Sequence, residues 1–327
     1  MLTIYEFRAG ELKPRSGKSA GKPAIGEDAV WIDLLDPTPG EESKVEKALK
    51  LDVPTREEQQ EIEASSRLYQ ENGALFMTAS VIAQSEQAEI KMTPVTFILA
   101  GNRLVTVRYA APRAFAIYAG RCNRSEPDLK NGAAILTGLV ETIVDRLADF
   151  IEHIQTEVDA LSHSVFDIKG GAASRQRRFD VQLKAIGRQG EMSSKARESA
   201  HSLGRLLTFF AYAAQERKEV KPLLARIRTA ARDVNSLTDQ VSFLSSKIIF
   251  LLDATLGMIN IQQADIIKIF SVAAVVFLPP TLLASIYGMN FEHMPEIHWW
   301  FGYPMALGMM VLAAVLPYLY FKRKGWL

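Results

Sequence analysis

The sequence predicts an α+β cytoplasmic domain, then a long helical stalk, then a two-helix C-terminal transmembrane hairpin. Three observations carry this expectation. Residues 269–289 and 299–321 contain no charged side chain, and each run has the roughly 20 residues that cross about 30 Å of hydrocarbon as a helix. Only residues 290–298 separate them, so the two spans must turn back on each other. Upstream, the chain is strand-prone to about residue 125 and helically periodic beyond it.

In the first segment, 2–7, 29–35, 74–84 and 89–100 are β-prone. Gly101-Asn102 separates the apolar runs 95–100 and 104–109, which predicts a hairpin. Helices are expected over 40–51, from Thr55, and after Pro112. The second opens with Thr55-Arg56-Glu57-Glu58 behind Pro54, a capping box in which Thr and Glu satisfy each other's backbone N–H. Residues 13–26 are rich in Gly, Ser, Pro and Lys and read as a loop. Gly17-Lys18-Ser19 inside it is no phosphate-binding loop, because the pattern needs a glycine where Leu12 stands.

From Ala133 to Phe166 apolar residues (Ile135, Leu139, Ile143, Leu147, Phe150, Ile154, Val158, Leu161) recur every three to four positions, as on one helix face. Lys169-Gly170-Gly171 ends that helix. A second covers 174–210, with Arg175, Arg177 and Arg178 at its start. A third opens at Lys221-Pro222 and meets no strong stop before Met289, on the order of 100 Å at 1.5 Å per residue. A stalk between cytoplasm and membrane needs such a helix; a globular fold rarely does. The expected division is 1–130 for the α/β domain, 131–265 for the stalk, 266–289 for the first span, 290–298 for the outer loop, 299–321 for the second span and 322–327 for a basic tail.

A net charge of +1 offers no electrostatic basis for nucleic-acid binding. Cys122 is the single cysteine, which excludes an internal disulfide or a multi-cysteine zinc site. Residues 1–6 lack a basic stretch followed by an apolar one, so no cleavable signal is expected. Lys322, Arg323 and Lys324 follow the second span, Lys268 precedes the first, and the loop between holds no Lys or Arg. Positive flanks stay cytoplasmic, so both termini are expected inside and Glu292 and Glu296 outside. Trp299, Trp300, Tyr303, Tyr318, Tyr320 and Trp326 fall near the expected interfaces, where amphipathic rings are favoured.

One stripe of the third helix, read at steps of three or four, holds Asp253, Gly257, Asn260, Ala264, Ile267, Ser271, Ala274, Leu278, Thr281, Ser285 and Gly288. Nearly all are small or polar, while the flanks are bulky and apolar. Small and hydroxyl residues in a membrane mark close helix packing or a wet path. Two spans cannot enclose a path alone, so a pore requires several copies around an axis. Pro279-Pro280 withholds backbone donors in mid-span, which reads as a tolerated kink.

The run Tyr287-Gly288-Met289-Asn290-Phe291-Glu292-His293-Met294-Pro295-Glu296, followed by Phe301-Gly302-Tyr303-Pro304, resembles the CorA family of divalent cation transporters. So do Lys268-Ile269-Phe270-Ser271 leading into Phe277-Leu278-Pro279-Pro280-Thr281, and the ending Tyr318-Leu319-Tyr320-Phe321-Lys322-Arg323-Lys324-Gly325-Trp326-Leu327. Pro54-Thr55-Arg56-Glu57-Glu58 through Ser65-Ser66-Arg67-Leu68-Tyr69 is similar to that family's N-terminal domain.

The resemblance implies a funnel-shaped homopentamer in the cell inner membrane, with no organic cofactor and with Mg²⁺, and also Co²⁺ or Ni²⁺, as cargo. Gly288, Met289 and Asn290 would form the outer pore mouth, and Glu292 and Glu296 would attract cations to it. Ile267, Phe270, Ser271, Ala274, Leu278, Thr281 and Ser285 would line or gate the pore. Cytoplasmic Mg²⁺ bound between subunits would hold it shut, with Asp253 and Asp233 as candidate ligands. A zinc transporter of the same architecture is an alternative suggested by His293 and His298, although Met294-Pro295-Glu296 resembles the magnesium-type branch. His153, His163 and His201 lack metal-site spacing. A membrane-anchored sensor or enzyme is the other alternative, but no convergent nucleophile, base or cofactor signature is visible.

Overall fold

The computed structural model describes residues 1–8, 11–16, 25–61, 63–84, 90–122, 131–167, 172–218, 220–289, 294–295 and 299–326. The chain forms two compact units: Met1–Phe166 with Lys184–Leu251, and Asp167–Leu183 with Leu252–Leu327.

In the first unit β1 (Leu2–Arg8), β2 (Glu11–Ser16), β3 (Ala29–Leu35), β4 (Leu68–Glu71), β5 (Ala74–Gln84), β6 (Ile90–Ala100) and β7 (Arg103–Arg108) make one sheet, ordered β2-β1-β3-β7-β6-β5-β4. Among the described residues only β3 and β7 pair in parallel. A parallel pair needs a long crossover, and this one contains α1 (Pro39–Leu49), α2 (Arg56–Gln60), α3 (Ala64–Arg67) and β4 to β6. Strand alternation in β3 sends Ile32 and Leu34 to a core shared with Val45 of α1. Trp31 points the other way, toward Phe115 and Tyr118 of α4 (Arg113–Cys122). Burial on both faces is why β3 reads as a nearly continuous apolar run.

The expected loop over 13–26 is a strand at its start, since β2 pairs Lys13 with Glu6 and Pro14 with Tyr5. It is an edge strand, where the missing N–H of a proline is tolerated. Residues 17–24, with the Gly-Lys-Ser triplet, lie outside the described residues. The first expected helix stops before Leu51, because Lys50 takes a left-handed φ of +54°. β4 was not expected; it closes onto β5 through Asn72 and Gly73, with φ of +48° and +79°, the left-handed pair of a type I′ turn.

Within the sheet, Arg108 forks onto Asp33, donating from Nε to Oδ1 at 3.0 Å and from Nη2 to Oδ2 at 2.7 Å. Its Nη1 donates to the Ala110 carbonyl at 3.0 Å, and the guanidinium lies 4.3 Å from the Phe115 ring centre. Thr106 donates to Asp33 at 2.7 Å and accepts from the Trp31 indole at 3.0 Å. Burial first, then the Asp33 charge, pushes the Tyr5 phenol up to about 12, so it stays neutral at physiological pH.

Beyond the end of β4, β5 would present unpaired backbone groups. There Ser199 donates to the Ser80 carbonyl at 3.0 Å, and the Ser80 amide donates to Ser202 at 2.9 Å. Both serines belong to α6 (Ala172–Glu216), which follows α5 (Gly132–Phe166). A short 3-10 turn (Lys221–Leu223) then opens α7 (Leu224–Tyr287). Gly132 is required where α5 begins: a Cβ there would lie 2.6 Å from backbone atoms of Arg103 and Leu104.

Register between these helices follows from their pairs. Arg226–Glu141, Gln240–Gln155 and Lys247–Asp159 join α7 to α5 at near-constant separations of 85, 85 and 88 residues, so the two helices run parallel. Ser245–Ser193, Ile248–Gly190 and Val234–Gly204 join α7 to α6 with both numbers running in opposite senses, so that pair is antiparallel. The Ile248 and Val234 methyls approach within 3.8 and 3.6 Å of where a Cβ on Gly190 or Gly204 would stand.

In the second unit, α7 continues through Pro279 and Pro280 to Tyr287 as one helix. Thr281 donates its hydroxyl to the Phe277 carbonyl at 2.7 Å. α8 (Gly302–Arg323) starts three residues later than the second span was expected to. Both α7 and α8 contain windows long and apolar enough to cross a membrane, with mean hydropathies of 2.1 and 1.7 and only 6% of each window buried.

Candidate functional site

The expected pore stripe is exposed, as is most of α7 beyond Leu256. Ile267, Phe270 and Leu278 are 64%, 72% and 65% exposed, and Ser271, Ala274, Thr281 and Ser285 are exposed too. Thr255, Gln262 and Val272 are buried. All the stripe positions fall in two seven-residue series: 253, 260, 267, 274, 281, 288 and 257, 264, 271, 278, 285. Such a strict repeat drifts about 20° per heptad on a straight helix, so copies that meet along it wind left-handed about each other.

The helix finishes at the expected pore mouth. Among the described residues Gly288 makes the last α-type bond, to Ala284 at 3.0 Å, and Met289 turns back to Ile286 at 3.2 Å. A Cβ on Gly288 would sit 3.1 Å from the Ala284 carbonyl. Met289 is 47% exposed. Asn290, Glu292 and Glu296 lie outside the described residues, as do His293 and His298.

Asp253 and Asp233 are both exposed. They stand 20 positions apart on α7. Among the described residues, no three His, Cys, Asp or Glu side chains gather into a metal site. Asp239 is exposed and stands two heptads before Asp253. Cys122 is buried.

The family model for CorA-like Mg2+ transporter protein matches residues 26–323. A magnesium transport protein CorA of Mannheimia succiniciproducens is 38% identical over 301 residues, covering 91% of this chain and 92% of its own length. One from Wolinella succinogenes is 34% identical over the whole of both chains. Among solved structures, the CorA magnesium transporter of Methanocaldococcus jannaschii superposes with a TM-score of 0.77 at 16% identity, covering 100% of this chain and 99% of that one. The ZntB cytoplasmic domain of Vibrio parahaemolyticus reaches 0.59 at 12%, over 79% of this chain and 97% of its own. At such identities the structural likeness shows the fold alone, and that fold serves proteins with different names.

Proposed function

The chain belongs to the CorA-like Mg2+ transporter protein family, and from that premise we propose that it is a passive Mg²⁺ channel of the cell inner membrane, built as a homopentamer with both termini in the cytoplasm. The observation that carries this reading is the heptad stripe of mostly small and polar residues on α7, which runs up to Gly288. A single chain leaves that stripe uncovered, whereas five copies around an axis would turn it toward a common centre. The α/β domain and the helices α5 to α7 would form the cytoplasmic funnel, and α8 the outer ring.

Mg²⁺ dehydrates reluctantly. The Asn290 side-chain carbonyls, as a ring, would accept hydrogen bonds from the waters of the hydrated ion, and Glu292 and Glu296 would raise its local concentration. Ile267, Phe270, Ala274 and Leu278 would narrow the inner path and close it by dewetting, while Ser271, Thr281 and Ser285 would keep it wettable between them. An inside-negative potential favours entry of a dication by about 4.6 kcal/mol per 100 mV, so no coupled reaction is needed. Co²⁺ and Ni²⁺ would follow the same path. The chain is read as a transporter and not an enzyme. Flux into proteoliposomes tests this: Mg²⁺ uptake that cobalt hexammine blocks is expected, since that ion mimics the hydrated cargo. Absence of flux from a well-folded oligomer would leave the hairpin as a plain anchor.

Overfilling is prevented, in this reading, by cytoplasmic Mg²⁺ at acids of α7 that face a neighbouring copy. Neutralising Asp233 and Asp253 together (Asp→Asn) is expected to raise the internal Mg²⁺ that half-closes the channel by about tenfold, the equivalent of roughly 1.4 kcal/mol. Unchanged inhibition in the double variant would remove both residues from the closing mechanism.

A further inference from the structure

The first unit contains a cavity of about 400 Å³ that ion conduction leaves unused. It lies among β5, the start of β6, α4, α5 and α6. Val81, Ile143, Leu147 and Met192 line it and are buried, giving an apolar interior. Arg113, Arg146 and Arg188 line it from three different helices, and Arg113 and Arg188 reach solvent. His153 stands with them. Among the described residues the one acid in the lining is Asp149, held by Arg146 at 2.6 Å. Among the described residues, Arg113 and Arg188 have no hydrogen-bond or ion-pair partner. Counting Arg and Asp alone, the described lining carries three positive charges against one negative.

Small-molecule pockets run from about 300 to 1,000 Å³, mostly apolar with a few placed polar groups. Guanidinium forks match phosphate oxygens two at a time, whereas a hydrated cation gains nothing from three arginines. We propose that this cavity binds a small organic phosphate with an apolar ring, of the nucleoside diphosphate class, its phosphates on Arg113 and Arg188 and its ring against Phe150 and Met192. Inorganic phosphate lacks the ring and adenosine lacks the charge, so each alone would use only half of the lining.

The test is calorimetric titration of the full-length, detergent-solubilised protein with ADP in Mg²⁺-free buffer containing EDTA. Adenosine and inorganic phosphate serve as parallel probes. Saturable ADP binding is expected below about 1 mM, at least about tenfold tighter than either fragment. Arg113→Gln with Arg188→Gln should weaken ADP at least about tenfold while the melting temperature holds. If the double variant fails to fold, Arg188→Gln alone should weaken ADP about threefold or more, since Arg188 is exposed. The idea is overturned by no saturation with ADP, by unchanged affinity in the variants, or by inorganic phosphate binding as tightly as ADP. Because binding is read without ion flux, these outcomes are independent of whether the protein conducts.

Discussion

Replacing Asn290 by Ala is expected to reduce Mg²⁺ uptake by more than about tenfold at equal protein in the membrane. A hydrogen bond to a charged group contributes about 1.5–3 kcal/mol, and every 1.4 kcal/mol is a factor of ten in occupancy. In a pentamer the substitution removes five side-chain carbonyls from one ring, so the loss should approach the limit of detection. Asn290→Asp separates orientation from charge. A carboxylate ring of the same shape would hold divalent ions more tightly and release them more slowly, because conduction needs weak sites. Half-saturating Mg²⁺ should therefore fall while maximal current also falls. Voltage-clamped current with internal Mg²⁺ varied checks both, and uptake by Asn290→Ala within twofold of the parent would remove Asn290 from the ion path.

The second large effect is on folding. Arg108→Ala should destabilise the first unit by about 3–5 kcal/mol, because it strands the Asp33 carboxylate, whose side chain is only 6% exposed. Thr106 would remain as its sole side-chain donor among the described residues. A domain of this size loses about 2–4 °C per kcal/mol, so thermal melts should shift down by roughly 6–20 °C. Replacing both partners with apolar residues of similar volume, Arg108→Met with Asp33→Leu, should recover most of that loss. If the single and double variants melted alike, the pair would not be the origin of the effect.

Much of the fold was legible in the chain, for identifiable reasons. The spans showed through charge exclusion, α5 through its period, α6 and α7 through the Gly170-Gly171 break and the Lys221-Pro222 opening, and the β6–β7 hairpin through Gly101-Asn102. Asn72-Gly73 announces a hairpin just as clearly, yet β4 is only four residues long and half-polar, so its apolar pattern was too short to register. β2 was hidden because Pro14 and its basic neighbours suit an edge and not a core strand. Whether α6 and α7 run parallel or antiparallel to α5 depends on Ser193, Ser245, Glu141 and Arg226, long-range pairs that no local pattern discloses. Of the candidate site, Gly288 and the heptad stripe could be read from spacing, whereas the mouth role proposed for Asn290 came through family resemblance. The arginine-lined cavity was invisible, since Arg113, Arg146 and Arg188 are far apart in sequence and on three helices.

Gly190 and Gly204 have a mechanical consequence. Each provides a notch facing one branched tooth of α7, Ile248 or Val234. Slipping α7 by one turn, about 5.4 Å, would drive Ile248 toward Ile186 or Ser194 and misalign the Lys247–Asp159 and Arg226–Glu141 clasps. Partly exposed ion pairs resist little by themselves, but keyed teeth in a close-packed seam resist bulk directly. Axial thrust on α7 in this unit is therefore passed to α5 and α6 as to a splined shaft, which tips or turns with its sleeve and does not telescope through it.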